Sequence, residues 1–344
     1  MIKPSSLGDI VHALPVLAAL RRGYPRAHIA WLVGTTFVPF LEGHPLLDEV
    51  IPFDRQRYGR MLQSPAVRHD FLRLLAFLRR RRFDLVVDLQ GLFRSGFLAW
   101  ATGARARVGF ADARELAPLF YTRRVRCPRP TRHAVEKNIC MAAQLGLGVD
   151  PPRFPLGLRT EEMHVARRLL TEVAGRGLEH FTAVLPGARW PTKRWRADRI
   201  AALLDRLNAE GGSPCVLLGA SADRAIADQV RAAATMPVID LVGRTTLRQL
   251  VALLSLADRV ICQDSGPMHI AAALNKPLVA VFGPTDPAHT GPYSTAARVV
   301  ALPLACVPCG RRTCPLGHHA CMQQLETDTV LAQVRELPVP AVSS

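Results

Sequence analysis

The chain has 344 residues, 49% of them hydrophobic, with 27 Pro and 24 Gly, and a formal charge of +16. That length and composition fit a globular protein of two ordinary domains and exclude a disordered or collagen-like chain. No apolar run is long enough to cross a bilayer and no basic-then-apolar leader opens the sequence, which predicts a cytoplasmic protein. Lys3, Lys137, Lys193 and Lys276 are the only lysines, so arginine carries the charge and suits bidentate contact with phosphate or carboxylate partners.

In chain order, Lys3-Pro4-Ser5-Ser6-Leu7-Gly8-Asp9 precedes apolar residues at Ile10, Leu14, Leu17 and Leu20 that share one helical face. Pro15 belongs in a first turn or at a kink, so the helix is predicted to start near His12 and to leave Asp9 at its mouth. A strand is expected over 28–33, a helix over 71–78, and a buried strand over 85–89 with Asp88 and Gln90 at its carboxyl end. Pro151, Pro152 and Pro155 mark a linker. The second block opens with a strand over 181–185, a helix over 198–207 and a strand over 215–218. Repeated strand–helix alternation in two blocks points to an α/β protein with parallel sheets.

The densest signal lies between Val260 and Asp286. Val260-Ile261-Cys262 reads as a buried strand, Asp264-Ser265-Gly266-Pro267-Met268-His269 as the turn opening a short helix from Ile270 to Leu274, and Leu278 to Phe282 as the next strand. Two successive strands thus end in polar loops at one edge, where helix N-termini offer free backbone N–H groups and partial positive charge to a diphosphate. Taken singly, Asp264 or Ser265 would be a helix cap, His269 a core histidine, Asp9 an N-terminal helix charge and Lys193 a solvated lysine.

Taken together, the segments Ser5 to Pro15, Phe83 to Leu92, Arg114 to Tyr121, His133 to Glu136, Pro186 to Trp195 and Asp264 to Asp286 resemble the ADP-heptose lipopolysaccharide heptosyltransferases, glycosyltransferase family 9. The Cys-Pro-Leu-Gly-His element at Cys314 to His318 is similar to the heptosyltransferase II-like branch. The resemblance implies the GT-B fold, two doubly wound Rossmann-like domains facing across a cleft. On that reading 1–150 bind acceptor, 156–325 bind the nucleotide sugar, and 326–344 form a C-terminal helix and tail. It implies Asp9 as general base and Lys193, Asp264, Ser265, Gly266, Pro267, Met268 and His269 as donor-binding residues. Asp223 stands where relatives place a ribose-contacting glutamate, and Arg94 and Arg114 fall on the acceptor side, where Arg94 reads equally well as a solvated arginine. His133 and Glu136 match family positions, with core hydrogen bonding as their expected role.

One departure concerns the first strand, which in family members carries four or five apolar residues before the Lys-Pro-Ser-Ser segment; here Met1 and Ile2 alone precede Lys3. The expectation is a start further upstream or a weakened domain edge. No cofactor is expected, and in the absence of an Asp-x-Asp motif the leaving diphosphate is assigned to fixed protein donors. Cys127, Cys140, Cys215 and Cys262 are scattered and read as buried and reduced, because a cytosolic setting disfavours disulfides. Cys306, Cys309, Cys314 and Cys321, spaced C-x2-C-x4-C-x6-C beside His318 and His319, read as reduced packing thiols, with a structural metal or iron–sulfur site as the alternative. The expected activity is inverting, metal-independent transfer of heptose from ADP-heptose to an inner-core heptose or Kdo, with peripheral contact at the inner leaflet. The rival readings are a GT-B transferase for another nucleotide sugar and acidic glycan, and an Arg-rich nucleic-acid binder with a Cys-ligated metal. The second is disfavoured by 6% aromatic residues and the lack of a nucleic-acid-binding motif.

Overall fold

The computed structural model describes residues 1–128, 131, 133–149 and 151–338; of the tail expected at 326–344, residues 339–344 lie outside the described residues, as does Asp150 at the expected domain edge. The chain forms two compact units, Met1–Gly157 and Leu158–Ser344.

The first unit has strands β1 (Ala30–Gly34), β2 (Glu49–Phe53), β3 (Leu85–Asp88), β4 (Ala106–Phe110) and β5 (Arg123–Val125), all pairing in parallel. The amino-terminal segment lies between β1 and β3: Ile2 bridges both Leu32 and Asp88 in parallel. The sheet therefore runs β2-β1-Ile2-β3-β4-β5, a doubly wound order whose direction reverses at the amino-terminal segment. Despite its brevity the segment satisfies its neighbours, with Ile2 N–H donating to Val87 O at 2.9 Å, Leu89 N–H to Ile2 O at 3.1 Å and Gly34 N–H to Pro4 O at 2.9 Å. The Met1 ammonium donates to Ala30 O at 2.7 Å, and burial pushes it down to about 5. A cavity of about 590 Å³, lined by Met1, Ile29, Leu78, Phe83 and Leu85 among others, lies against the amino ends of β1 and β3.

The expected helix start is corrected. The first helix runs Leu7–Gly23, so Asp9 is its third residue and Pro15 lies inside it, fully buried. Asp9 accepts both the Ser6 N–H and the Ser6 hydroxyl, a cap that begins the helix five residues before His12. Along it Ile10, Leu14 and Leu17 are fully buried, as the apolar spacing requires.

The second unit has strands β6 (Thr182–Leu185), β7 (Cys215–Leu217), β8 (Ile239–Asp240), β9 (Arg259–Gln263), β10 (Leu278–Val281) and β11 (Ala297–Val300) in the order β11-β10-β9-β6-β7-β8. Strands β6, β7 and β10 are buried at every position, which is why they read as unbroken apolar runs without alternation. The helix Ala197–Ala209 buries Ile200, Leu203, Leu204 and Leu207, the stripe of a helix lying on a sheet. The C-terminal helix Thr327–Arg335 adds Val330, Leu331 and Val334 to the same core. The helix expected over 270–274 is longer and begins earlier, at Gly266–Ala273, because Ser265 serves as its N-cap and Pro267 sits at the start, where its missing N–H costs nothing.

Two of the scattered cysteines are also corrected: Cys127 and Cys140 are half-buried and joined by a disulfide, not reduced. The helix Ala134–Gln144 carries Cys140 to the strand-end segment that carries Cys127, a proximity that sequence spacing does not reveal. Cys215 and Cys262 are free and buried, and burial pushes the Cys215 thiol up to about 12.

Candidate functional site

In a doubly wound sheet the ligand crevice opens at the carboxyl ends of the two strands where the order reverses. In the second unit these are β6 and β9, whose exits are Pro186-Gly187 and Asp264-Ser265. Gln263 joins the two exits: its Oε1 accepts the Trp195 N–H at 3.0 Å and its side-chain amide donates to Pro186 O. Sequence reasoning missed Gln263, although a polar residue ending a wholly apolar strand was a usable signal.

Asp264 is buried, and its Oδ2 lies 2.6 Å from Lys193 Nζ and accepts the Thr285 hydroxyl. Lys193 stands on the turn Pro191–Lys193, with its ammonium 4.5 Å from the centre of the Trp190 ring, while the Arg312 guanidinium lies 5.2 Å from the same ring. Two cations converge on one aromatic side chain at the mouth of the turn. Arg312 and Thr285 were not singled out from sequence; Arg312 is one arginine among many.

Beyond Asp264 the helix Gly266–Ala273 opens at the N-cap Ser265, and the backbone N–H groups of its first turn have no carbonyl partner within the helix. Ser265, Gly266 and Met268 supply N–H groups, whereas Pro267, at the start of the helix, has none. The Met268 side chain is fully buried, so Met268 contributes backbone alone. Ser265 Oγ is shut off from solvent with no hydrogen-bond partner among the described residues, a hydroxyl left over at a helix N-terminus. His269 is buried in the same first turn.

Asp223 lies at the exits of β6 and β7, where its Oδ2 accepts the Ala220 N–H at 3.0 Å. Gly187 permits this, since a Cβ there would stand 2.1 Å from Asp223 Oδ1. The structure therefore gathers Lys193, Asp223, Asp264, Ser265, Gly266, Met268 and His269 at one sheet edge.

The first unit has its own carboxyl edge. Asp9 Oδ2 accepts from Ser6 N at 2.9 Å and Ser6 Oγ at 2.7 Å, its Oδ1 is 3.7 Å from Lys3 Nζ, and 41% of its side chain is exposed. Lys3 in turn donates to Leu89 O at 2.8 Å, and Ser5 N–H reaches Gln90 Oε1 at 3.4 Å. The Gln90-Gly91 turn is held by Asp88, whose Oδ1 accepts both N–H groups at 2.8 and 3.2 Å while its Oδ2 accepts the Tyr121 hydroxyl at 2.7 Å. Burial raises the Asp88 carboxyl above its ordinary range, against the pull of those hydrogen bonds. Gly109 makes room for Tyr121, because a Cβ there would meet its ring at 2.3 Å. Arg94 is exposed in the first turn of the helix Phe93–Ala101, and burial of its guanidinium followed by the charge of Arg55 lowers its pKa. Arg114, exposed, donates its backbone N–H to Gly91 O at 3.0 Å. Asp9, Arg94 and Arg114 thus share the Gln90–Gly91 edge. His133 and Glu136 cap a helix: His133 Nδ1 accepts from Val135 N at 3.1 Å and Glu136 accepts the His133 N–H.

No group of three or more His, Cys, Asp or Glu among the described residues is drawn together closely enough to hold a metal ion. No helix among them is long and apolar enough to cross a membrane.

Two parallel, doubly wound units, one with anion-directed donors at its switch point, define a Rossmann-type nucleotide-binding protein of the GT-B class. The model of glycosyltransferase family 9 (heptosyltransferase) matches residues 71–320. Lipopolysaccharide heptosyltransferase 1 of Pseudomonas aeruginosa is 31% identical over 321 residues, covering 91% of this chain and 86% of that one. The structure of E. coli ADP-heptose LPS heptosyltransferase II superposes with a TM-score of 0.77 at 27% identity, covering 97% of this chain and 96% of that one. E. coli heptosyltransferase WaaC with ADP-2-deoxy-2-fluoro heptose gives a TM-score of 0.74 at 25% identity, covering 97% and 98%. The chain belongs to glycosyltransferase family 9 and is a glycosyltransferase.

Proposed function

We propose that this protein transfers heptose from ADP-heptose to an inner-core sugar of lipopolysaccharide, either heptose or Kdo, with inversion at the anomeric carbon. The observation that carries the reading is the pairing of Lys193 with buried Asp264 beside the Ser265 hydroxyl, which has no partner among the described residues, at the N-terminus of Gly266–Ala273. Relatives of heptosyltransferase 1, 2 and 3 type all match most of the chain, so the II-like branch is one of three assignments they support.

In the proposed step the acceptor hydroxyl oxygen bonds to the anomeric carbon as the bond from that carbon to the outer phosphate oxygen breaks. Asp9 takes the hydroxyl proton, and the bond electrons leave with ADP. Its exposed carboxylate, already ordered by Ser6, suits that role. Direct displacement requires base and leaving group on opposite faces of the sugar. The charge developing on the outer phosphate falls to Lys193, to the N–H groups of Ser265, Gly266 and Met268, and to His269. These fixed donors do the work that a divalent cation does in other transferases, so the reading assigns the step no metal. Asp264, paired with Lys193, accepts hydrogen bonds from heptose hydroxyls, and Asp223 meets the ribose. Arg94 and Arg114 pair with carboxylate or phosphate on the acceptor. On this reading residues up to 150 bind acceptor and those from 156 bind donor. The protein works at the cytoplasmic face of the inner membrane, where its arginine excess favours an anionic surface.

The test is incubation with ADP-heptose, UDP-sugars and GDP-sugars against Kdo- and heptose-terminated acceptors, with mass detection. A product heavier by one heptose, with ADP released, is expected. Release of UDP or GDP but never ADP would replace the reading with transfer of another sugar.

A further inference from the structure

The four carboxyl-terminal cysteines are not used by the proposed chemistry, yet the fold brings them together. Cys306, Cys309, Cys314 and Cys321 line one cavity of about 20 Å³, with His318 and His319 beside them. That volume is close to one water-sized sphere and suits a single ion, not a multinuclear cluster. Three of the four thiols lie on irregular backbone, and Cys321 sits in the first turn of Ala320–Gln323. Cys314 Sγ accepts the His319 N–H at 3.4 Å. Gly310 follows Cys309 with φ at +63°, which turns the chain directly after the C-x2-C pair.

We propose that Cys306, Cys309, Cys314 and Cys321 bind one thiophilic divalent cation, zinc or iron, and that the ion braces the turn carrying Lys193. The residues hold no ready-made cage, so binding draws the sulfurs inward across the cavity, a movement that irregular backbone permits. The loop is tied to the donor site at three points. His319 Nε2 lies 2.7 Å from Thr192 O, Thr192 Oγ1 donates to Arg311 O at 2.9 Å, and Gly310 N–H donates to Pro284 O at 2.7 Å. Thr192 immediately precedes Lys193, and Arg312 from the same loop lies over Trp190. A closed four-thiolate site has no open position, so the ion's role is structural.

The experiment is elemental analysis of the full chain, purified reduced and without chelator, together with acid-labile sulfide. About one equivalent of zinc or iron per chain without sulfide is expected. Cys309→Ser and Cys314→Ser should each lose the metal, while Cys215→Ala should keep it. In case the serine variants misfold, wild-type protein is stripped with chelator and titrated with Co²⁺: intense thiolate-to-cobalt absorption is expected, and its absence overturns the proposal. Metal below about a tenth of an equivalent, metal retained by Cys309→Ser, or iron with stoichiometric sulfide overturns it equally. The bracing role predicts that stripping weakens ADP binding about tenfold and that Co²⁺ restores it. That part alone rests on the donor-site reading, and metal content is read without any donor, so failure of one is distinguishable from failure of the other.

Discussion

Replacing Lys193 with alanine strips the cation from Asp264, whose side chain is 5% exposed and whose Oδ2 lies 2.6 Å from the ammonium. Removing one partner of a buried ion pair costs about 3–5 kcal/mol, because the other charge is left desolvated. Thr285 keeps its hydrogen bond to Asp264, and Lys193 is itself 15% exposed, which places the expected cost near the lower end, about 3 kcal/mol. For a unit of this size that corresponds to a fall of roughly 6–12 °C in its unfolding midpoint. Adding Asp264→Asn to Lys193→Ala removes the stranded charge and should recover most of the loss, a coupling read from the double-mutant cycle by calorimetry. Turnover behaves differently. Loss of a donor aimed at developing phosphate charge should lower kcat by about 10²–10³, and the second substitution should not restore it. A double variant no more stable than Lys193→Ala would show that the two charges are uncoupled. Turnover within about threefold of wild type would remove Lys193 from leaving-group stabilisation.

Ser265→Ala deletes a buried hydroxyl with no protein partner, so the midpoint should hold or rise slightly while ADP affinity, measured by calorimetric titration, falls about tenfold; a destabilised variant with normal affinity would contradict the assignment. For Asp9→Ala, turnover should drop by about 10²–10⁴ with ADP affinity unchanged, and stability should fall by about 1 kcal/mol from loss of the Ser6 cap; unchanged turnover would place the base elsewhere. Glu162 supplies the pH test: burial alone would raise its pKa, but hydrogen bonds from Arg248 and Arg159 hold it down to about 2, against an ordinary 4.5. Its folded pKa is below its unfolded one, so its contribution is present above about pH 4.5 and is lost as pH falls toward 2, up to about 3 kcal/mol. Urea unfolding of wild type and Glu162→Gln should converge as pH falls through that window, and a difference independent of pH would refute the linkage.

Much of the donor edge was legible in the chain because it is local. Strand, turn and helix from Val260 to Ala273 are consecutive, so an apolar run followed by Asp-Ser-Gly-Pro already names the strand exit and the cap. The misreading at the first helix came from Pro15: its ring was expected to force a later start, whereas the Ser6–Asp9 cap and the burial of Ile10 to Leu17 carry the proline inside. Gln263, Thr285 and Arg312 were illegible for another reason. Each acts on a residue 20 or more positions away in a chain crowded with similar side chains, and no pattern in sequence selects the partner.

Sequence by itself determined the alternation of buried strands and amphipathic helices, and with it the placement of polar loops at strand ends, since period and polarity are properties of neighbours along the chain. Only the tertiary structure decided which loops meet. Strand order put the exits of β6 and β9 side by side, set Lys193 against Asp264, joined Cys127 to Cys140 and gathered four cysteines about one small cavity. These contacts join residues from 3 to 77 positions apart, and they form because packing both faces of a parallel sheet fixes where its edges lie.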